Sequence, residues 1–271
     1  MPWLIEENSL AKELNLNHKS VRLINDLEAI ARAVPILRPS DMVKINLGEP
    51  VRKGAVAVIA PGAGLGESFL TWDGSHYMAH GSEGGHSDFA PTDERQIRLL
   101  TYMLKQFDHV SFEHVCSGIG IPNIYRFLRD VEHIPEPLEV AKLIDTAADP
   151  SVVIINPAVD PTNRSKLCAE TLGLLVSILG SEAGNLAAKF LATGGVYLAG
   201  GVAVHALQAI KQPDFLERFK RKGRFAELMS RIPIHVVVTP AGLAGAACLR
   251  AGEPHSGSRD QLGILKSFQA T

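Results

Sequence analysis

The chain has 271 residues and a formal net charge of −2, with 46% hydrophobic and 21% charged residues. A chain of this length buries a sizeable core, and this balance is typical of a globular protein and excludes a disordered one. Lysine and arginine are interspersed with acidic residues, so the basic stripe that nucleic-acid binding needs is missing. A solvated helix end explains the densest basic segment, RFKRKGR at 218–224, as well as a phosphate contact does.

The cysteines and the apolar runs indicate the compartment. Cys116, Cys168 and Cys248 lie in apolar surroundings without CxxC spacing, which predicts buried thiols in a reducing compartment. No apolar run reaches the ~20 residues of a membrane span. The start, MPWLIEENSL, lacks the basic region and cleavage site of a signal peptide. We therefore expect a soluble, cytoplasmic protein with neither a membrane nor a nucleic acid as partner.

Strand and helix patterns alternate along the first part of the chain. Predicted strands are short runs rich in β-branched residues, and predicted helices carry apolar residues at i, i+3, i+4 and i+7. In chain order these elements are a strand VRLI at 21–24, a helix from Leu27 that Pro35 stops, a buried strand AVAVIA at 55–60, a hairpin at 68–81 turning at Asp73-Gly74, and a helix from Thr92 to Phe107.

The alternation continues to residue 250. The elements are a strand FEHVCSG at 112–118, a helix IPNIYRFLRD at 121–130, a helix at 136–149 closed by Pro150, an apolar helix from about Asn163 to Ala192, strands GGVYLAGG at 194–201 and IHVVVT at 234–239, and a helix at 240–250. Strands that alternate with helices, without repeats or a low-complexity linker, predict an α/β fold.

Three glycine-rich loops are each predicted to follow a strand: PGAGLGE at 61–67, SGIG at 117–120 and AGG at 199–201. Such loops let backbone amides approach a phosphate, and a helix N-terminus behind them adds a favourable dipole. A tight turn is the alternative for any one of them. None has the spacing of a Walker P-loop.

A second group of candidates is polar. Asp26 lies where a predicted strand ends and a helix begins, so it is either an N-cap or a general base, and Asn25 beside it suits a sugar hydroxyl. Glu83 and His86 flank a glycine pair in HGSEGGHSDFAP at 80–91, which is either a plain polar loop or a binding turn. With Glu113 they would hold vicinal hydroxyls if the fold brings them together; otherwise Glu113 is an exposed strand residue.

A metal site is the competing interpretation of Glu83, His86 and Asp88. Such a site needs three or more ligands in a defined geometry, and no cysteine or second histidine has ligand spacing there. His80 is separated from them by a glycine turn. We expect no protein-only metal site.

The motifs resemble one family. LINDLEAIA, PGAGLGESFL, EGGHSDFAP, VSFEHVCSGIGIPNIYR, GNLA, GGVYLAGGV, KGRF and GLAGAA occur in the order found in bacterial glucokinases, from about residue 2 to residue 250. Those enzymes belong to the sugar-kinase, hexokinase and actin superfamily.

The resemblance implies an actin-like ATPase (ribonuclease H-like) two-domain sugar-kinase fold whose first domain is incomplete. Residues 1–36 with 241–252 would be the remnant of the small domain, 37–240 the large domain and 253–271 a flexible tail. It also implies ATP-dependent phosphorylation of glucose at the 6-hydroxyl, with ATP and Mg²⁺. A homodimer is expected, with the apolar helices after Asn163 as a possible interface.

The resemblance also implies residue roles. Asp26 matches the catalytic base, and the positions that hold the sugar are matched by Asn25, Glu83, His86 and Glu113. The second phosphate loop is matched by Gly62, Ala63, Gly64 and Gly66, and the adenosine motif by Gly200 and Gly201. The glycine pair at 84–85 is expected to bend the backbone so that Glu83 and His86 face one sugar ring.

Two departures from the family pattern bear on activity. The Asp-x-Gly-Gly-Thr turn of the first phosphate loop does not occur in the chain, and Ala63 stands where the family usually has threonine. We expect that the chain begins partway through the family's first domain, through a late start codon, as a fragment or by true loss. The alternative function is a non-catalytic sugar-binding or regulatory paralogue. A related repressor would need a helix-turn-helix and a cysteine-rich zinc loop, which the sequence lacks.

Overall fold

A mixed β-sheet organises the residues that the computed structural model describes, 5–159 and 165–249. Its strands are β1 Met42–Asn46, β2 Val56–Pro61, β3 Leu65–Trp72, β4 Tyr77–Ser82, β5 Gly195–Leu198 and β6 Ile234–Val237. The strand order across the six-stranded sheet is β1-β6-β5-β2-β3-β4.

The pairing directions gather several strand ends on one side. Strands β2, β5 and β6 are parallel, β3 runs antiparallel to β2, and β4 runs antiparallel to β3. The carboxyl ends of β2, β4, β5 and β6 therefore lie together with the start of β3. We call this side the carboxyl end of the sheet. In α/β folds ligands bind in the crevice outside such an end.

Helices cover both faces of the sheet. Their bounds are α1 Glu7–Glu13, α2 Asp26–Ala33, α3 Glu94–Met103, α4 Gly120–Asp130, α5 Leu138–Thr146, α6 Pro150–Val159, α7 Lys166–Phe190, α8 Gly201–His205, α9 Leu207–Ile210, α10 Pro213–Lys220, α11 Ala226–Arg231 and α12 Ala241–Ala247. Short 3₁₀ turns occupy His18–Ser20, Val34–Ile36, Pro39–Asp41, Gly84–His86 and Gly223–Phe225.

The alternation of side chains along β2 divides the core. Ala57 and Ile59 are fully buried in the larger core, which contains residues of α4, α6, α7 and α10. Val56 and Val58 point the opposite way and pack with Ala31 of α2. Because neighbouring strand residues face opposite sides of a sheet, one all-apolar strand anchors both helical layers.

Helix α7 forms the middle of the larger core. It packs against α4, α6 and α10. Among the described residues it alone is long and apolar enough to cross a membrane, yet 83% of its most apolar window is buried inside the protein. Its composition is therefore that of a core helix, and its apolar face is occupied within the chain. The expectation that the apolar helices after Asn163 supply a dimer interface stays a prediction, with little of α7 left exposed for it.

Most predicted elements are present, but two predicted strands are not. Residues 21–24 are extended without a strand partner, and the amide of Leu23 donates to a carboxylate oxygen of Glu7 at 3.0 Å. Residues 112–118 form turns, with one isolated bridge between Ser111 and Asp88 just before them. Both runs have apolar side chains of strand type, but no neighbouring strand pairs with them. The half-buried edge strand β1 was not predicted.

Smaller differences concern turns and a thiol. The β3–β4 hairpin has a four-residue loop at 73–76, because one oxygen of Asp73 accepts from the amides of Ser75 and His76. Pro150 begins α6 instead of only closing α5, as expected for a residue suited to a first helical position. Cys248 is half-buried, unlike the other two cysteines, because it follows the last residue of α12.

The domain boundaries at 36/37 and 240/241 stay predictions. Helix α2 precedes the first boundary and α12 follows the second, and these two helices pack together. The proposed tail, 253–271, lies outside the described residues.

The contact between α12 and α2 gives a matched pair of variants. A Cβ on Gly245 would overlap the carbonyl oxygen of Ala29, whereas one on Gly242 would come no closer than 4.0 Å to Ile30. Gly245→Ala should lower the free energy of unfolding by about 1–3 kcal/mol through overpacking. Gly242→Ala should be neutral or stabilise by up to about 1 kcal/mol. Urea unfolding of both variants measures the difference; equal stabilities would contradict this packing.

Candidate active site

The turn at residues 83–86 lies directly on strand β3. A Cβ on Gly84 would overlap the carboxylate of Glu67, and one on Gly85 would overlap the carbonyl oxygen of Leu65. Neither glycine has a positive φ, so the pair is required for space and not for an unusual backbone angle. The 3₁₀ turn formed in this way leaves Glu83 and His86 with 65% and 61% of their side chains exposed.

Backbone hydrogen bonds attach residues 110–113 to this turn. The amide of Phe89 donates to Val110 O at 2.9 Å, and the amide of Phe112 donates to Ser87 O at 3.1 Å. The amide of Glu113 donates to the carbonyl oxygen of Gly85 at 2.9 Å. Glu113 is thereby fixed beside the glycine pair although it is about thirty positions away in the chain.

His86 lies between two carboxylates. Its Nε2 is 4.0 Å from Glu83 Oε2, and its Nδ1 is 3.9 Å from Glu113 Oε1. These separations exceed hydrogen-bonding distance, so the imidazole and the facing oxygens keep capacity for a ligand. The other oxygen of Glu113 accepts from the amide of Leu65 at 2.9 Å, and this side chain is only 20% exposed. Two carboxylates around one imidazole suit a ligand with several neighbouring hydroxyls.

The loop at 62–64 touches the same cluster. A Cβ on Gly64 would overlap the Glu113 carboxylate. The carbonyl oxygens of Gly62 and Ala63 accept from the amides of Gly118 at 2.7 Å and Ile119 at 3.2 Å. The amides of Ala63 and Gly64 have no hydrogen-bond partner within ranges 5–159 and 165–249.

Two expectations about the glycine loops need correction. Residues 62–64 connect antiparallel strands, so no helix follows them directly in the chain; the N-terminus of α4 reaches them instead, since its N-cap Ile119 donates to Ala63. SGIG follows turns and not a strand, and Gly118 supports the 62–64 loop by its hydrogen bond. The loop at 199–201 does follow a strand and begins α8, as predicted.

The turn after β5 lies against the end of β2. Gly200 has φ +84°, and a Cβ there would lie 2.5 Å from the carbonyl oxygen of Pro61. Only glycine combines this angle with so close an approach. A Cβ on Gly201 would meet no atom within 4 Å. The turn at 199–201 and the loop at 62–64 are thus neighbours at the carboxyl end of the sheet, with open space beside Gly201.

Asn25 and Asp26 open helix α2. Asn25 is the N-cap, because its Oδ1 accepts from the amides of Leu27 at 2.8 Å and Glu28 at 3.3 Å. The cap uses the carbonyl oxygen and leaves the amide nitrogen for another acceptor. Asp26 is exposed, and one of its oxygens lies 2.9 Å from the amide of Leu27. The N-terminus of a helix favours a negative charge in this position.

Helix α2 reaches the site through Leu27. A Cβ on Gly66 would overlap the Leu27 side chain, so the first turn of α2 lies against the start of β3. The neighbouring residue Leu65 donates to Glu113. Within the part of the chain that the structure describes, Asp26 makes no hydrogen bond or ion pair with Glu83, His86 or Glu113; it approaches them only through these contacts.

The arrangement around Asp88 differs from the metal interpretation. Asp88 Oδ1 is 2.9 Å from His109 Nε2, a partner that the sequence did not suggest. In the described ranges no three His, Cys, Asp or Glu side chains are grouped as for a metal ion.

Sequence reasoning missed Glu67, which lies behind the glycine pair. It is 1% exposed and stands in a hairpin strand next to the 83–86 turn. The signal in the sequence was an acidic residue within a strand, at a β3 position whose side chain is buried.

The chain is similar to glucokinases in both sequence and structure. A family model described as Glucokinase matches residues 1–252. A glucokinase of Nostoc punctiforme is 37% identical over 264 residues, 93% of this chain and 76% of the relative. A crystal structure of a glucokinase from an Antarctic psychrotroph has 30% identity and a TM-score of 0.70, covering 83% of this chain and 66% of that one.

The fold is also found at lower identity. The crystal structure of a Balamuthia mandrillaris glucokinase, solved in complex with glucose, has a TM-score of 0.72 at 20% identity and covers 85% of this chain and 66% of its own. The chain thus spans about three quarters of the curated relative and about two thirds of each solved one. The predicted α/β sugar-kinase fold is confirmed.

Two substitutions of Asn25 measure what it contributes as a helix cap, separately from any part in ligand binding. Asn25→Ala should lower the free energy of unfolding by about 1 kcal/mol, because two helix amides lose their acceptor. Asn25→Asp keeps an acceptor at the cap and should unfold within a few tenths of a kcal/mol of the parent. Thermal and urea unfolding of the two variants would measure this. An Ala variant as stable as the parent would show that the cap contributes nothing.

Proposed function

The chain belongs to the glucokinase family, and we propose that it binds D-glucose and directs phosphoryl transfer from ATP to the sugar's 6-hydroxyl. The observation that carries this proposal is the convergence of Glu83, His86 and Glu113 beside the loop at 62–64. A cluster suited to sugar hydroxyls thereby lies next to a glycine loop whose unpartnered amides suit a phosphate chain. A sugar kinase must hold these two groups, the sugar and the phosphates of ATP, side by side.

The sugar is held, in this proposal, by the side chains around His86. The carboxylates of Glu83 and Glu113 accept hydrogen bonds from hydroxyl groups, and the imidazole can donate or accept. Glu113 is the most constrained of the three, because its Oε2 is already bound to the amide of Leu65. The amide nitrogen of Asn25 supplies one more donor at the start of α2. A pocket with several fixed polar groups rejects analogues that lack a matching hydroxyl.

Asp26 is proposed as the general base. Its carboxylate takes the proton of the 6-hydroxyl while the sugar oxygen forms a bond to the γ-phosphorus and the bond to the ADP oxygen breaks. Phosphoryl transfer requires mainly positioning and charge stabilisation from a protein, with a carboxylate to accept the proton. Asp26 stands on the first turn of a helix fixed by the Asn25 cap and by Leu27, which limits its movement.

The nucleotide is proposed to lie along the two glycine turns. The residues fit a phosphate chain in two respects: Ala63 and Gly64 have amides without partners in the described ranges, and Gly201 faces open space. Gly62 and Gly200 keep side chains out of the turns, and Gly66 in β3 leaves room for Leu27 of α2. We infer that Mg²⁺ enters with ATP, because this ion usually keeps phosphate oxygens and waters as ligands. When bound, it neutralises charge on the phosphates.

A second candidate function is sugar binding without phosphorylation. It is favoured by two sequence features: the family's Asp-x-Gly-Gly-Thr turn is not among these 271 residues, and Ala63 lacks the hydroxyl that the family places in its second phosphate loop. Both features affect the nucleotide and leave the Glu83, His86 and Glu113 cluster complete.

Assembly and location follow the family in this proposal. We propose a homodimer in the cytoplasm, with an interface formed by surfaces other than α7. Exposed apolar side chains such as Leu47, Leu191 and Phe225 are available for it. Light scattering coupled to gel filtration should give twice the chain mass of 29.2 kDa. A mass of one chain across the concentration range would refute the dimer.

Replacing the proposed base tests the function. Asp26→Asn should lower the rate of glucose 6-phosphate formation by about 10²–10⁴-fold, because the neutral amide cannot accept the proton. Glucose affinity should change little, since the sugar is held by other side chains. A coupled assay with glucose and Mg-ATP measures the rate, and calorimetry measures the affinity. Asp145→Asn, an exposed aspartate of α5, serves as the control.

The outcomes separate the two candidate functions. Turnover by the parent chain that Asp26→Asn abolishes supports the kinase. Glucose binding without turnover by the parent supports the sugar-binding alternative. Asp26→Asn with parental turnover would remove Asp26 from the mechanism, and absence of glucose binding would overturn both proposals.

A further inference from the structure

Two carboxyl groups are buried on neighbouring elements behind the turn at 83–86, because β3 lies against α7, where Phe69 stacks on Phe190 with 3.9 Å between the ring centroids. Glu67 of β3 is 1% exposed and Glu182 of α7 is 0% exposed. Glu67 contacts Gly84, since a Cβ on that glycine would overlap its carboxylate. No donor from residues 5–159 or 165–249 reaches Oε1 of Glu67. A buried polar atom without a partner is costly and calls for an explanation.

The lysines near this pair contact Glu182 or its neighbours on α7, and not Glu67. Lys189 Nζ lies 3.5 Å from Glu182 Oε1, and Asn185 Nδ2 donates to Oε2 at 2.8 Å. Lys222 donates to Asn185 Oδ1 at 2.6 Å and to the carbonyl oxygen of Ser181 at 2.9 Å. Glu182 is thus compensated as a carboxylate. Glu67 has no such cation in direct contact among the described side chains.

The ionisation of the pair follows from this asymmetry. Burial, together with the charge of Glu182, raises the pKa of Glu67 to about 8, and Lys189 opposes this only in part. Burial also raises the pKa of Glu182, although Asn185 and Lys189 lower it. The buried thiol of Cys116 faces both groups and stays protonated, because burial and the two glutamates raise its pKa. Two adjacent carboxyls that cannot both ionise share a proton.

We propose that Glu67 and Glu182 share one proton, and that the neutral carboxyl of Glu67 is a positioning residue that holds the Gly84–Gly85 turn so that Glu83 and His86 face the sugar. The proton makes the hydrogen bond between the two carboxyls possible and removes the repulsion between them. Glu67 itself touches no substrate. The inference rests on the proposed function only for the ligand; the carboxyl pair and its contact with Gly84 stand independently.

The pH dependence has a defined sign. A carboxyl whose pKa is raised on folding binds its proton more tightly in the folded state. The stability contributed by Glu67 is therefore complete below its ordinary value of 4.5 and is lost as the pH rises to about 8. The folding equilibrium should weaken by up to about tenfold per pH unit across that interval. Above pH 8 the ionised pair repels and the turn loses its support, so glucose affinity should fall.

Isosteric amides test the shared proton. Glu67→Gln keeps a neutral donor beside Glu182 at every pH. Its folding equilibrium should lose the decline between pH 5 and 8, and its glucose dissociation constant should stay level above pH 8. In the parent that constant should rise by up to about tenfold per pH unit. Glu217→Gln, an exposed residue of α10, is the control and should behave as the parent does.

A direct titration covers the case in which Glu67→Gln fails to fold. Carbon-13 NMR of the parent's glutamate carboxyls should show one that titrates near pH 8. All glutamates titrating below pH 6, or a Glu67→Gln variant with the parental pH slope, would overturn the proposal. A chain that binds no glucose would refute the proposed function alone, because stability and carboxyl titration would still report the pair. Parental glucose affinity that stays level to pH 9.5 would refute the positioning role.

Discussion

The site depends on one backbone strap, residues 110–119, that joins the turn at 83–86 to the loop at 62–64. At one end the amide of Glu113 donates to Gly85, and at the other the amide of Gly118 donates to Gly62. Because both contacts are made by main-chain groups, their geometry does not depend on side-chain rotamers. The strap thereby fixes the position of Glu113 relative to the β2–β3 loop and to the turn that carries His86. The packing of Gly85 on Leu65 adds a second backbone contact between the turn at 83–86 and the start of β3.

Close packing of backbone on backbone is the second constraint. Gly85 lies on Leu65, Gly200 on Pro61 and Gly245 on Ala29, and in each case a side-chain carbon would overlap a carbonyl oxygen or crowd it. Glycine at such positions costs conformational entropy, which the contacts must offset. These positions let the turns, the strand ends and α12 approach as closely as the site requires. The glycines therefore serve spacing more than flexibility, and only Gly200 among these three also needs a positive φ.

The sequence was most informative where a pattern is long or where eight motifs occur in order. Helix α7 and strands β2, β5 and β6 were located well, since their apolar runs have no competing arrangement. VRLI and FEHVCSG failed because strand propensity does not ensure a partner strand. The grouping of Glu83, His86 and Glu113 came from family resemblance, because spacing alone does not show long-range contacts. Glu67 was missed, since a carboxyl buried against a distant helix has no local signature.

Glu113 divides its two oxygens between two tasks. One accepts from the amide of Leu65 at the start of β3, and the other lies 3.9 Å from His86. Any ligand that draws the carboxylate toward His86 therefore changes its bond to the strand that begins next to Gly64. Ligands on either side of this carboxylate are then energetically linked, and linkage is reciprocal: whatever factor one imposes on the other's affinity, it receives in return. In the proposed function, a sugar beside His86 and a phosphate beside Gly64 would thus be coupled through this one side chain.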